Sequence, residues 1–137
     1  MNNKTRGRIL IVDDQDNWRE ALTDLLSKEE YVVKAVGYFN EAKYEIEQKG
    51  FDLFILDVRL VDTDVYNIQG LELLQLIKRK NVDAKVIILT GYPESIRDGV
   101  LDWYKADALV LKVPPGSIFN TNDFKKLIAN LLTNKIK

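Results

Sequence analysis

The chain has 137 residues, 46% hydrophobic and 30% charged, with a net charge of −1. That is enough for one domain with a proper core, and it leaves no bulk charge favouring nucleic acid or an anionic membrane. It has no cysteine and no histidine, which excludes disulfides, thiolate catalysis, Ser-His-Asp chemistry, zinc held by those residues and a phosphohistidine carried by this chain. Carboxylate, hydroxyl, lysine and backbone groups remain, a donor set suited to a hard cation such as Mg²⁺.

The polar, basic start, Met1-Asn2-Asn3-Lys4-Thr5-Arg6-Gly7-Arg8, precedes an apolar run too short for a signal peptide. No run is long enough to span a bilayer, so a cytoplasmic location is expected. The run itself, Ile9-Leu10-Ile11-Val12, predicts a buried parallel strand over 8–13 with Asp13-Asp14 at its end. Ala21, Leu22, Leu25 and Leu26 then recur at helical spacing and predict a helix from Asp16 to Lys28, capped by Asp16 or Asn17. A strand at 31–36 follows, then a helix from Asn40 to Lys49, capped by Asn40 and stopped by Gly50. Leu53-Phe54-Ile55-Leu56 predicts a strand over 52–57 that ends in Asp57. The connection after it, Val58–Gln69, is unusually long and holds Asp62 and Asp64, read as solvated loop acids. A third helix starts near Gly70 and carries Leu71, Leu73, Leu74 and Ile77. Val86-Ile87-Ile88-Leu89 predicts a strand at 85–90 ending in Thr90, and Pro93 opens a fourth helix. Leu109-Val110-Leu111 predicts a strand at 107–112 ending in Lys112. Beyond the Pro114-Pro115-Gly116 segment, a helix from Asn122 to Leu132 sets Phe124, Leu127, Ile128 and Leu131 on one face, and the tail from Thr133 is expected to fray.

Strands alternating with helices define an α/β fold with a parallel sheet. In such sheets ligands bind beyond the carboxyl ends of the strands. There the chain presents Asp13 and Asp14, Asp57, Thr90 and Lys112. Singly, each has an ordinary explanation: a strand-end aspartate caps or turns, Thr-Gly is a turn, and a lysine is solvated. Their joint placement on one edge points to a site. Three carboxylates at close quarters repel one another and call for a cation, a proton or a lysine.

The motifs Ile-Leu-Ile-Val-Asp13-Asp14, Leu-Phe-Ile-Leu-Asp57, Val-Ile-Ile-Leu-Thr90-Gly91 and Leu-Val-Leu-Lys112 resemble those of a response regulator receiver domain, the phospho-acceptor module of two-component signalling. The resemblance covers residues 7–133, with 1–6 and 134–137 as flexible tails. It implies a flavodoxin-like, doubly wound, five-stranded parallel sheet in order 2-1-3-4-5, with the site at the switch point between strands one and three. It implies that Asp57 accepts the phosphoryl group, and that Asp13, Asp14, Asp57 and the backbone carbonyl of Arg59 hold Mg²⁺. Lys112 would offset charge on the phosphoryl oxygens, and the Thr90 hydroxyl would bind one of them and shift a conformational equilibrium. The implied partners are a histidine kinase or histidine-phosphotransfer protein, docking near Trp18 and Arg19, and a downstream protein or output domain, with no direct nucleic acid or membrane contact. The family's usual partner face would include Trp103, Tyr104, Lys105 and Lys126, with Trp103 packed partly into the core. No enzyme activity is implied beyond self-phosphorylation and autodephosphorylation.

The chain also departs from the family pattern. Leu109 stands where an aromatic residue usually precedes the lysine by three positions, so any switch through Thr90 works without an aromatic gate. Val113 replaces the usual proline after the lysine. A cis bond before a non-proline costs about 2.5–4 kcal/mol, so a trans Lys112–Val113 bond or a cis Val113–Pro114 bond is expected. The loop after Asp57 is longer than its relatives', and Arg59 and Tyr92 are placed to shield an acyl phosphate from water. Two other readings compete. One is a degenerate receiver acting as a phosphorylation-independent interaction module. The other is a Mg²⁺ phosphatase of the haloacid-dehalogenase type, with Asp14-x-Asp16 as its first motif but without the late acid pair of such enzymes.

Overall fold

The computed structural model describes residues 5–48, 50–58, 60, 69–91, 105–112 and 119–133. The apolar runs form strands β1 (Arg8–Val12), β2 (Val32–Val36), β3 (Leu53–Leu56), β4 (Lys85–Thr90) and β5 (Ala108–Leu111). Between and after them lie helices α1 (Asp16–Ser27), α2 (Phe39–Gln48), α3 (Gln69–Lys80) and α4 (Thr121–Thr133). The helix expected from Pro93 falls outside the described residues, as do Asp62, Asp64, Trp103, Tyr104 and the Val113-Pro114-Pro115 peptide bonds.

All four strand pairings are parallel, and the sheet order is β2-β1-β3-β4-β5. Successive side chains of a strand leave opposite faces, so each central strand feeds two cores. Leu10 and Val12 of β1 join Phe54, Leu56, Val86 and Ile88 beneath α2 and α3. Ile9 and Ile11 join Leu53, Ile55, Ile87 and Leu89 beneath α1 and α4. Burial on both faces explains why β1, β3 and β4 read as unbroken apolar runs. The edges show it by contrast: Val32 of β2 is 44% exposed and Leu109 of β5 is 38% exposed.

Two expected caps are not the ones used. Gln15 is the N-cap residue of α1 and makes no side-chain cap bond, while Asp16 and Asn17, the two expected cap candidates, are already helical. The Asp16 carboxylate pairs instead with Arg19 one turn on, a stronger partner than a backbone N–H. Helix α2 begins at Phe39, which places Asn40 inside the first turn; Gly50, with φ +98°, fits its expected role just past the end. Helix α4 has a cap that the sequence reading passed over: Asn120 Oδ1 accepts from the Asp123 N–H at 3.0 Å. Thr133, expected to fray, completes that helix.

Gly70 determines how α3 meets the sheet. Its N–H donates to the Val58 carbonyl at 3.0 Å. A Cβ there would collide with the Asp57 carbonyl oxygen and stand 2.8 Å from Val58 Cα. The first turn of α3 therefore lies directly on the backbone leaving β3, an approach only glycine permits. Among the described residues no helix is long and apolar enough to cross a membrane.

Candidate functional site

The chain leaves β1 toward β2 on one side and returns to β3 on the other, so the crevice opens beyond the carboxyl ends of β1 and β3. The sheet's hydrogen bonding continues one residue past the strands and fixes the site residues. Asp13 N–H donates to the Val36 carbonyl at 3.1 Å, Asp57 N–H to Val12 at 2.9 Å, and Lys112 N–H to Thr90 at 3.0 Å. Asp13, Asp57, Thr90 and Lys112 are the buried polar residues among those described. Four of the expected site residues are thus inside the protein at one edge. Asp14 is half-buried beside them.

Asp13, Asp14 and Asp57 converge: each offers a carboxylate oxygen within 4.8 Å of the others. The Lys112 ammonium reaches into the same space. It donates to Asp57 Oδ2 at 3.0 Å and lies 2.9 Å from Asp13 Oδ2. It also donates to Gln15 Oε1 at 2.8 Å, and the Trp18 ring centre is 5.4 Å away. The departure at Val113 has therefore not turned Lys112 away from the cluster. The Gln15 contact is one that sequence reasoning missed, its one available signal being that Gln15 directly follows the acid pair; Trp18, expected near the site, is found against the Lys112 ammonium.

One lysine does not balance three acids. Burial pushes the Asp57 carboxyl up, the Asp13 and Asp14 charges push it further, and Lys112 pulls it back; the result is a rise from 3.8 to about 7. Asp57 Oδ1 is buried and accepts no hydrogen bond from the described residues. An under-compensated oxygen cluster with an unused buried carboxylate oxygen fits a hard divalent cation, which wants oxygen ligands and supplies the missing positive charge. Asp13, Asp14 and Asp57 are the side chains present to hold it. Arg59, expected to lend its carbonyl, lies outside the described residues. Asp16 stands apart: its side chain is 80% exposed and paired with Arg19. That removes the second acid of a phosphatase-type Asp14-x-Asp16 motif from the cluster.

A doubly wound parallel sheet with an acid trio and a strand-end lysine at its switch point defines a receiver-type module. The sequence profile of the response regulator receiver domain matches residues 9–112. The chain is 32% identical over 101 residues to the transcriptional regulatory protein ZraR of Klebsiella oxytoca, a match covering 69% of this chain and 22% of ZraR. It resembles the response regulator TrrA of Thermotoga maritima, solved in complex with Mg²⁺-BeF, with TM-score 0.75, 34% identity and coverage of 91% of this chain and 98% of that one. TrrA has also been solved in complex with the histidine kinase ThkA. A CheY-like receiver domain protein from Methanospirillum hungatei JF-1 matches with TM-score 0.78, 29% identity and coverage of 95% and 96%. The chain belongs to the response regulator receiver domain family of two-component signalling. It spans about a fifth of the length of ZraR, 22%.

Proposed function

We propose that this receiver, spanning residues 7–133 and working in the cytoplasm, is a phospho-acceptor switch in which Asp57 takes a phosphoryl group from a phosphohistidine donor. A carboxylate oxygen of Asp57 attacks phosphorus, the P–N bond to the donor imidazole breaks, and the imidazole leaves with the bonding pair and takes up a proton. The observation that carries the reading is the Lys112 ammonium 3.0 Å from Asp57 Oδ2 inside an acid trio within 4.8 Å. Such an ammonium is placed to neutralise charge on the transferred oxygens. Mg²⁺, held by Asp13, Asp14, Asp57 and the Arg59 carbonyl, would supply the remaining charge compensation.

Burial of the acceptor excludes bulk water from the acyl phosphate and lets a small local change be felt in the packing. Thr90, fully buried at the end of β4, donates its hydroxyl to a phosphoryl oxygen and draws the following loop inward. TrrA's complexes with Mg²⁺-BeF and with a histidine kinase support the same ligand and the same kind of donor here. The product is the modified protein itself, which then acts on a downstream protein or output domain.

The test is mass spectrometry after treatment with acetyl phosphate and Mg²⁺. Wild type gains one phosphoryl group, and Asp57→Asn gains none. A second reading, a phosphorylation-independent interaction module, draws on Leu109, which lies 38% exposed on the edge strand where the family has its aromatic gate. No phosphoryl group on Asp57, together with no change in the β4 and β5 amide resonances on adding beryllofluoride, would favour that module.

A further inference from the structure

We infer that Arg19 is a positioning residue for the acid pair, strapping the Asp13–Asp16 turn through a gap that Gly37 leaves open. The inference rests on the reading above that this turn contributes to a Mg²⁺ site. Arg19 lies on the first turns of α1, and its guanidinium points back toward the end of β1. Nη1 donates to the Asp13 carbonyl oxygen at 2.6 Å, and Nη2 pairs with the Asp16 carboxylate. The two nitrogens thus hold both ends of the turn that carries Asp13 and Asp14. From within the turn, the Gln15 N–H donates to Asp13 Oδ1 at 2.9 Å.

Fixing the Asp13 carbonyl fixes the plane of the Asp13–Asp14 peptide, and with it the directions in which both carboxylates leave the backbone. Mg²⁺ demands near-octahedral oxygen placement, so an acid pair free to swing binds it less well. The planar, forked guanidinium can satisfy two acceptors at once in a fixed geometry, which a lysine ammonium on a flexible stem cannot reproduce.

Gly37 sits at the end of β2, one residue past Val36, whose carbonyl accepts from Asp13. It is not among the glycines with positive φ, so its backbone would accept any residue. What a side chain there would displace is the tip of the arginine. A Cβ on Gly37 would lie 2.6 Å from Arg19 Nη1 and 3.2 Å from Cζ. The glycine therefore serves the arginine: it is the open side of the passage through which the strap reaches Asp13.

The two simplest roles for Arg19 give opposite signs. As a nearby positive charge it would oppose a cation, and its removal would tighten Mg²⁺ binding. As a strap, its removal loosens the acid pair and weakens binding. Calorimetric titration with Mg²⁺ on the full chain, with thermal unfolding to verify that each variant is folded, separates them. Arg19→Gln is expected to bind Mg²⁺ about tenfold more weakly than wild type, in the range seen when outer-shell partners are lost. Arg19→Lys keeps the charge and is expected to fall with Arg19→Gln. Gly37→Ala keeps the arginine but blocks its path and weakens binding to a similar extent. The double variant Gly37→Ala/Arg19→Gln is expected to be no weaker than Arg19→Gln alone, because the methyl then displaces nothing. Unchanged or tighter binding by Arg19→Gln overturns the strap, and additive losses in the double variant overturn the role of Gly37. If Gly37→Ala does not fold, Arg19→Gln and Arg19→Lys decide. Wild type that binds no Mg²⁺ refutes the metal-site reading itself and this inference with it, an outcome distinct from a variant that binds too well.

Discussion

Replacing Asp57 by asparagine is expected to stabilise the metal-free protein at neutral and alkaline pH. The acceptor is buried between two other acids, and its carboxyl is raised from 3.8 to about 7. Each unit is worth about 1.36 kcal/mol, so ionised Asp57 costs the fold roughly 4 kcal/mol at most. That figure is already net of the pull from Lys112, and asparagine keeps an oxygen to accept from it, but its NH2 group must be fitted where a bare carboxylate oxygen stood. About 2 kcal/mol of net gain is therefore expected, or about 6–8 °C in Tm for a domain of this size. The sign with pH follows from the raised value. The folded state binds a proton that the unfolded state releases, so wild type recovers stability as pH falls from about 7 toward 3.8. The Asn variant has no such term, so its advantage is largest above pH 7 and shrinks below it. The assay is thermal unfolding of both proteins in chelator at pH 8 and pH 5. Saturating Mg²⁺ should reverse the order by stabilising wild type selectively. An Asn variant no more stable than wild type at pH 8 in chelator would show that the Lys112 bond outweighs burial and repulsion, refuting the picture of an under-compensated cluster.

Lys112→Met should tighten Mg²⁺ binding, because the ammonium competes with the cation for Asp13 and Asp57, while slowing phosphoryl uptake from acetyl phosphate by about 10²-fold; calorimetry and single-turnover kinetics check the two halves separately. Gly70→Ala should destabilise the fold by about 1–3 kcal/mol, since its methyl would collide with the Asp57 carbonyl and force α3 off the sheet; denaturant unfolding measures it, and a neutral result would mean α3 can move at little cost. The bulky Tyr92 and Arg59 predict slow autohydrolysis of the acyl phosphate; timed loss of the phosphoryl group should shorten on Tyr92→Ala, and a wild-type lifetime of only seconds would count against their shielding role.

Much of this protein is legible along the chain because its signals are local. The central strands are buried on both faces and so read as continuous apolar runs, and the alternation of such runs with helical spacing fixes the α/β class. Asp13, Asp57, Thr90 and Lys112 stand directly after those runs, and a run's end is visible without knowing its neighbours. Caps were less legible. Asp16 has the right chemistry to cap α1, but its carboxylate had a better partner in Arg19, and a competition between partners is not written in a single residue. What only the tertiary structure decided is proximity and its consequences. Strand order brings Lys112 to Asp57 across 55 residues and to Asp13 across 99. The raised proton affinity of Asp57, the Gln15 and Trp18 contacts to Lys112, and the close approaches at Gly37 and Gly70 all follow from that assembly. The reason is physical. Periodicity records how a segment meets water, whereas desolvation, repulsion and steric fit depend on which distant groups are packed against it.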